Sequence, residues 1–283
     1  MSVCVLPAGA ERKQLIAVRL LASDIITERT VTSPLNLASS LLASSAALWR
    51  GTNAKPAART PALPLKLYEM ENCPYCRLVR EALTELDLDA LILPCPKGGK
   101  RYRDEAVAAG GKAQFPYLVD ENTKTSLYES LDIIDYLYET YGRRAASSRL
   151  KMSLLATPSS MLASGLRLSQ GLRARPALPT DKPLALWCFE SSPYARPVRE
   201  LLCELELPYM LHNIGKGQWQ DFALTKMRDR LWPEMAHASS NRQALKRRAG
   251  KVMSPYFEDP NTGAAMFESA DIRDYLLETY ATQ

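Results

Sequence analysis

The sequence predicts an α/β protein built from two tandem copies of one unit, each a small mixed sheet with helices on both faces. Residues 65–88, LKLYEMENCPYCRLVREALTELDL, align without a gap on residues 184–207, LALWCFESSPYARPVRELLCELEL. A second pair of segments, 115–141 and 254–280, aligns equally well, as FPYLVDENTKTSLYESLDIIDYLYETY and SPYFEDPNTGAAMFESADIRDYLLETY. Self-similarity at this spacing indicates a duplicated structural unit.

The first half of each unit is predicted to be strand, helix and strand. In the first copy the strand 65–69 leads into Cys73-Pro74. Proline suits the first position of a helix because its missing N–H needs no partner there. Apolar residues then recur at helical spacing, at Leu78, Val79, Ala82, Leu83 and Leu86. The apolar segment ALILP follows as the second strand.

The second half of the unit is predicted to be a helix, a hairpin and a final helix. After the short helix, FPYLVD and LYES form two strands joined by a turn that contains Asn122. The segment SLDIIDYLYETYG is an amphipathic helix. Ser130 is its predicted N-cap, and Gly142 lies just past its predicted end. The complete order is β-α-β-α-β-β-α.

The alignment divides the chain into an N-terminal extension (1–64), a first copy (65–142), a linker (143–183) and a second copy (184–283). The second copy contains 20 extra residues within 218–252, and their basic sequence predicts an exposed helical insert. Of the net charge of +5, the extension carries +4 and the linker +7, which leaves −6 on the two copies. This distribution does not indicate nucleic-acid binding. It is typical of solvated basic linkers, or of tethers that contact an anionic surface.

Two segments combine apolar and polar or basic residues as a helix at an interface requires. Residues 30–49 carry no charge but contain too much Ser, Thr and Asn for a membrane span, and residues 149–175 are basic with interspersed leucines. We expect either covering helices on the folded units or peripheral contact with a membrane or a membrane protein complex. The start of the chain lacks a secretory signal, whereas its Ser and Arg content is typical of an organelle transit peptide.

The cysteines indicate a reducing compartment and a single reactive site. There are six, at positions 4, 73, 76, 95, 188 and 203, and they do not form the dense framework of a small secreted domain. Cys95, Cys188 and Cys203 are predicted to be buried packing residues. The CPYC motif could be half of a zinc site with Cys95 as third ligand, but no fourth ligand is evident and the chain has only two histidines. No metal is expected.

The CPYC motif places a nucleophile and a resolving thiol at the start of a helix. Cys73 would occupy the N-cap, where free backbone N–H groups and the helix dipole stabilise a thiolate. Arg77, one turn later, adds positive charge, whereas Glu69 and Glu71 oppose it. Cys76 lies on the same edge of the helix within disulfide reach. We therefore predict that Cys73 attacks and that Cys76 resolves the mixed disulfide.

Three motifs of the sequence resemble those of known protein families. The C-P-Y-C after the first strand, the proline that opens the third strand and the E-S before the last helix resemble the thioredoxin fold, and more narrowly glutaredoxins and the N-terminal domain of glutathione S-transferases. The tandem arrangement and the stretch PCPKGGKRYRDEAVAAGGKAQFPYLVD resemble a plant and algal plastid family with two such domains. The resemblance implies a chloroplast location, in the stroma or at the thylakoid surface.

The resemblance also implies glutathione as cofactor. Pro116 would be a cis proline facing Cys73, and Phe115 would offer its backbone to the cysteinyl part of glutathione. Glu129 and Ser130 match the positions that hold the γ-glutamyl end, and Arg77 is a further expected glutathione-binding residue. A purely structural capping role for the Glu129-Ser130 pair stays open. The helical second domain of the transferases is missing, so conjugation of electrophiles to glutathione is not expected.

The second copy repeats the site without its thiols. Ser192 replaces Cys73 and Ala195 replaces Cys76, while Pro255, Glu268 and Ser269 repeat the rest of the frame. Pro197, at the fifth position of the predicted helix, would remove a backbone hydrogen bond, so the helix should begin differently here. The second copy is therefore predicted to be a degenerate site, used as a scaffold or recognition surface or as a pocket for a glutathione-like ligand.

Three functions follow from these features. The first is a glutathione-linked thiol–disulfide oxidoreductase of the plastid that acts on client proteins through CPYC. The alternative is a non-catalytic binding, assembly or repair factor for photosynthetic complexes of the thylakoid, with the two units as protein-contact surfaces. A glutathione-dependent isomerase similar to membrane-associated prostaglandin E synthase shares the Cys-Pro-aromatic-Cys motif and is the third.

Overall fold

The structure is a computed structural model that describes residues 34–146, 161–162, 167, 170–223, 225–232 and 235–282. Cys4, the first residues of the 30–49 segment and most of the 149–175 segment lie outside the described residues. Among the residues that are described, no helix is both long and apolar enough to cross a membrane.

The first copy has the predicted element order, and among the described residues before it lies a helix, α1 (Pro34–Ala46). Its elements in chain order are β1 (Leu65–Glu69), α2 (Pro74–Leu86), β2 (Ala90–Pro94), α3 (Arg103–Gly110), β3 (Tyr117–Asp120), β4 (Thr125–Leu127) and α4 (Ser130–Leu137). Both β1 and the start of α2 coincide with the predicted boundaries.

The second copy repeats this order and adds its insert before the hairpin. Its elements are β5 (Leu184–Cys188), α5 (Arg196–Glu204), β6 (Tyr209–Asn213), α6 (Thr225–Leu231), α7 (Ser240–Ala249), β7 (Tyr256–Asp259), β8 (Ala264–Phe267) and α8 (Ser269–Tyr280). A 3-10 turn, Trp219–Phe222, precedes α6. α7 occupies the place that α3 has in the first copy.

The predicted ends of α4 are wrong. Its N-cap is Glu129, whose φ of 61° lies in the left-handed region, and Ser130 is instead the first helical residue, with no side-chain capping bond. The helix does not stop before Gly142, because a π-helical turn, Tyr138–Gly142, continues it. Gly142 packs closely against the first copy's core: a Cβ there would lie 3.0 Å from Leu86.

All strands join in one eight-stranded sheet, in the order β4-β3-β1-β2-β6-β5-β7-β8. The two copies meet in the middle, where β2 and β6 pair antiparallel with Ala90 opposite Leu211 and Ile92 opposite Tyr209. The order reads the same from both ends, so the copies are related by an approximate two-fold axis between β2 and β6. A single hydrophobic core, which includes Leu67 and Leu186, contains residues of both copies.

Each copy is preceded by an arm that crosses onto the other copy. The Ala54 N–H donates to the Lys216 carbonyl at 2.9 Å, and the Ala174 N–H donates to the Lys97 carbonyl at 2.9 Å. Lys97 and Lys216 hold equivalent positions in the two copies. Gly51 (φ +70°) permits the close approach, since a Cβ there would lie 2.7 Å from a side-chain carbon of the second copy. The segments before each repeat are thus part of the pairing between the copies.

Helix α1 packs on the second copy. The Ser40 and Ser44 hydroxyls donate to the carbonyls of Pro193 and Ser191, each at 2.8 Å. The opposite side of the segment carries exposed leucines, with Leu42 58% and Leu48 71% exposed. The helix therefore covers the loop before α5 and presents an apolar face outward.

Candidate functional site

Cys73 is the N-cap of α2. The Cys76 N–H donates to the Cys73 Sγ at 3.4 Å. Pro74 follows as the first helical residue and leaves no N–H without a partner. The side chain of Cys73 is 7% exposed, and that of Cys76 is completely buried.

The two thiols are electrostatically distinct. Hydrogen bonding from Cys76, joined by the backbone N–H groups of Tyr75 and Cys76 and the charge of Arg80, lowers the pKa of Cys73 to about 7 against the burial that opposes it. Burial and the neighbouring Cys73 raise the pKa of Cys76 well above its ordinary value. One thiol is therefore a thiolate near neutral pH while its partner keeps its proton, which is the difference that a nucleophile and a resolving thiol require.

The other described cysteines are buried, as predicted, and are not poised for reaction. Burial raises the pKa of Cys188 to about 11, and it also raises the pKa of Cys95 and of Cys203. Cys203 has a structural contact across the two copies, since its Sγ accepts a hydrogen bond from the Glu71 N–H at 3.4 Å. Among the described cysteines, Cys73 is thus the one whose pKa is lowered.

The chain facing Cys73 has the arrangement expected from the resemblance. The Phe115–Pro116 peptide bond is cis, as is Ser254–Pro255 in the second copy. The Cys73 thiol lies 4.0 Å from the Phe115 carbonyl oxygen. The backbone of Phe115 therefore borders the reactive sulfur.

Glu129 and Ser130 lie at the start of α4, and neither side chain caps the helix. The Glu129 carboxylate is exposed and accepts a hydrogen bond from the Gln114 amide. Glu268 repeats the positive φ, at 68°, before α8. A non-glycine residue in that conformation costs about 1–3 kcal/mol, so its occurrence in both copies indicates a specific requirement of this turn.

Behind Cys73, the two copies share a buried cluster of charged side chains. Arg80 forms ion pairs with Glu69, with Glu71 at 3.2 Å and with Glu190 of the second copy at 2.9 Å. Arg199, the counterpart of Arg80, forms ion pairs with the same Glu71 and Glu190, each at 3.1 Å. Glu71 and Glu190, which follow the first strand of each copy, therefore each pair with arginines from both copies.

The structure places Arg77 in this cluster, with its Nε 3.8 Å from Glu190 of the second copy. Its Nε donates to Glu81 at 3.2 Å. The cation that contributes to the lowered pKa of Cys73 is Arg80, which the sequence reasoning did not single out. A signal for it existed: RLVRE (77–81) and RPVRE (196–200) keep both arginines and the glutamate while the cysteines change.

In the second copy the frame is present with a different helix start. α5 begins at Arg196, with Ala195 as its N-cap and Pro197 in its first turn, which confirms the effect predicted for Pro197. The Ser192 hydroxyl is buried and accepts from the Ala195 N–H at 3.3 Å and lies 3.1 Å from the Ser254 hydroxyl. Ser192, Pro255, Glu268 and Ser269 thus repeat the backbone frame of the first site.

Comparison with known proteins supports the duplication. The family model described as the N-terminal domain of glutathione S-transferase matches residues 67–145 and 186–283, which is more than half of the chain. No curated protein and no solved structure matches. Among the described residues there is no group of three or more His, Cys, Asp or Glu side chains that could hold a metal ion.

Proposed function

Since the chain belongs to the glutathione S-transferase N-terminal domain family, with two thioredoxin-like units, we propose that its first unit is a glutathione-linked thiol–disulfide oxidoreductase of the plastid. The observation that carries the proposal is the pair of unlike thiols at the start of α2, with the pKa of Cys73 near 7 and that of Cys76 raised. The second unit lacks both thiols and supports the first.

The first site has the groups that a glutathione molecule needs. The backbone of Phe115 borders the Cys73 sulfur, and the start of α4 at Glu129 and Ser130 has no capping side chain. Free N–H groups at a helix start bind carboxylates, so they would hold an acidic end of the tripeptide. Two molecules of reduced glutathione would supply the two electrons that return an oxidised site to two thiols, and they would leave as glutathione disulfide.

The chain's own residues carry the exchange. The Cys73 thiolate attacks one sulfur of a client disulfide, forms a mixed disulfide and releases the other client sulfur as a thiolate, which takes a proton from water. Cys76 loses its proton and attacks Cys73 Sγ. The mixed bond breaks, the second client thiol leaves, and Cys73 and Cys76 are joined by a disulfide. The client gains two electrons and the site loses two.

The test is the pH dependence of alkylation in the Cys76→Ser chain, whose hydroxyl keeps a donor next to Cys73. We expect a reaction midpoint near pH 7 and, with oxidised glutathione, one adduct on Cys73 by mass spectrometry. Cys73→Ser is the control and should show neither. A midpoint at the value of a free thiol, about 8.5, together with no adduct would overturn the proposal.

A second candidate function rests on the outward apolar face of α1. Leu42 of this helix is 58% exposed and Leu48, just past its end, is 71% exposed, although the helix packs on the thiol-free copy. This supports a binding or assembly factor for thylakoid complexes, with peripheral membrane contact at this face. We expect Leu42→Asp with Leu48→Asp to abolish co-sedimentation with thylakoid membranes and Cys73→Ser to leave it unchanged. The reverse pattern would favour the redox function alone.

A further inference from the structure

The second copy has a cavity that the thiol chemistry proposed for the first copy does not explain. It has a volume of about 360 Å³ and is bounded by α1, the loop before α5 and the insert. Ligand cavities in proteins begin at about 300 Å³. Trp49, Phe189 and Phe222 give it aromatic walls, and Ser192 lies at its border with the degenerate site.

The cavity is positively charged. Lys216, Arg228 and Arg242 line it together with a single acidic residue of the described lining, Asp221. The Asp221 carboxylate is already engaged, since it lies 3.0 Å from the Arg242 guanidinium and accepts the Gly217 N–H at 3.1 Å. Lys216 and Arg242 alone outweigh the one carboxylate, so the lining keeps an excess of positive charge.

Lys216 is the cation of this lining that faces aromatic rings and, among the described residues, has no ion-pair partner. Its ammonium lies 4.5 Å from the centre of the Phe222 ring and 5.7 Å from that of Phe189. In the part of the chain that the structure describes, no carboxylate lies within ion-pair distance of Lys216, although Asp221 attracts its charge from farther away. Burial and repulsion from Arg242 lower its pKa. An anion placed beside Lys216 would relieve that repulsion.

These features are specific to the second copy. Lys97, the counterpart of Lys216, is exposed, and Met70 stands where the second copy has Phe189. Phe222 and Arg228 belong to the insert, which the first copy lacks. The first copy therefore has the reactive thiols, and the second has an aromatic, cationic cavity next to the equivalent position.

We propose that this cavity binds a small organic anion, with one carboxylate, sulfonate or phosphate group at Lys216 and an apolar body between Trp49, Phe189 and Phe222. The aromatic walls supply the contact area, and the excess positive charge selects an anion over a neutral compound of the same shape. The proposal does not depend on the redox function, because Cys73 and Cys76 take no part in it.

The probe is 8-anilinonaphthalene-1-sulfonate, titrated against the full chain by dye fluorescence and by energy transfer from tryptophan. The matched ligand is N-phenyl-1-naphthylamine, which has the same rings without the sulfonate. We expect Lys216→Met to weaken sulfonate binding at least tenfold, about 1.4 kcal/mol, and to change binding of the neutral amine less than twofold. Lys97→Met, at the equivalent position of the other copy, should leave both dissociation constants unchanged.

Equal dissociation constants for the sulfonate in the unaltered chain and in Lys216→Met would overturn the proposal, as would a parallel loss of both ligands. A measurement on the unaltered chain keeps the test independent of whether the variant folds. Decanoate should displace the sulfonate dye at a concentration at least tenfold below that of decanol. Displacement at equal concentrations would refute the selection of an anion.

Discussion

Replacing Arg80 by methionine should be far more destabilising than removal of a surface arginine. Arg80 is 1% exposed, so its loss leaves the buried carboxylates of Glu71 and Glu190 short of a cation. It also leaves Glu69, which keeps its proton in the folded chain at pH 7, without a hydrogen-bond donor. Breaking a buried charge group by removing one member costs about 3–5 kcal/mol. Because a folded protein has a total stability of only about 5–15 kcal/mol, the change should be evident in any unfolding curve.

The assay is urea unfolding at pH 7, followed by tryptophan fluorescence and by circular dichroism. Arg248→Met is the control, since Arg248 pairs with Glu258 while its side chain is 59% exposed. Exposed pairs contribute about 0–1 kcal/mol. We expect the Arg80 variant to lose at least 2 kcal/mol more free energy of unfolding than the control. Equal losses would refute the view that this cluster holds the two copies together.

The same variant has a second readout at the thiol. The positive charge of Arg80 lowers the pKa of Cys73, so the pH midpoint of alkylation should move upward in Arg80→Met and stay in place in Arg248→Met. An unchanged midpoint in a folded Arg80→Met chain would mean that the cluster and the thiol are not coupled.

Three further outcomes follow. Cys76→Ala removes the side-chain hydrogen bond that does most to lower the pKa of Cys73. The alkylation midpoint of Cys73 should therefore rise from about 7 toward the free-thiol value of about 8.5. An unchanged midpoint would mean that the helix start alone lowers the pKa. Burial raises the pKa of Glu69 from 4.5 to about 8, so between these pH values the folded chain keeps a proton there that the unfolded chain has lost. The free energy of unfolding should therefore fall as pH rises from 5 to 8. Glu69→Gln should flatten this pH dependence in urea unfolding, and an unaltered pH dependence would exclude Glu69 as its source. Asp120→Ala leaves two tyrosine hydroxyls without their acceptor and should cost about 1–3 kcal/mol of unfolding free energy in the same experiment. An unchanged free energy of unfolding would contradict this and would mean that water replaces the carboxylate.

The sequence predicted the elements of each unit because their signals are local. The spacing of Leu78, Val79, Ala82 and Leu83 shows the buried face of α2, and Cys-Pro marks its start. The predicted N-cap at Ser130 was wrong by one residue because a positive φ at Glu129 starts the helix earlier than side-chain preference suggests. Capping preferences describe ordinary backbone, so they fail at a turn with an unusual one.

The pairing of β2 with β6, which joins the sheets of the two copies, could not be predicted in the same way. The segment ALILP is apolar throughout, so it indicates a strand buried on both faces, but the pattern does not say which strand lies beside it. Its neighbour β6 is distant in sequence and pairs antiparallel with it. The importance of Arg80 also depends on this pairing, because Glu190 reaches Arg80 only when the two copies meet.

The buried cluster explains why the second copy keeps its frame without its thiols. Glu190 and Arg199 match Glu71 and Arg80 of the first copy, and all four are paired with one another across the two-fold axis. An isolated first copy would leave Arg80 and Glu71 without part of their neutralising charge, and a buried charge without a partner is strongly destabilising. Within the described part of the chain, the thiols have no such partner across the axis, so Ser192 can replace the equivalent of Cys73 without disturbing the contact between the copies. The contact between the copies therefore requires the charged residues in both, whereas the proposed thiol–disulfide exchange requires its cysteines in one.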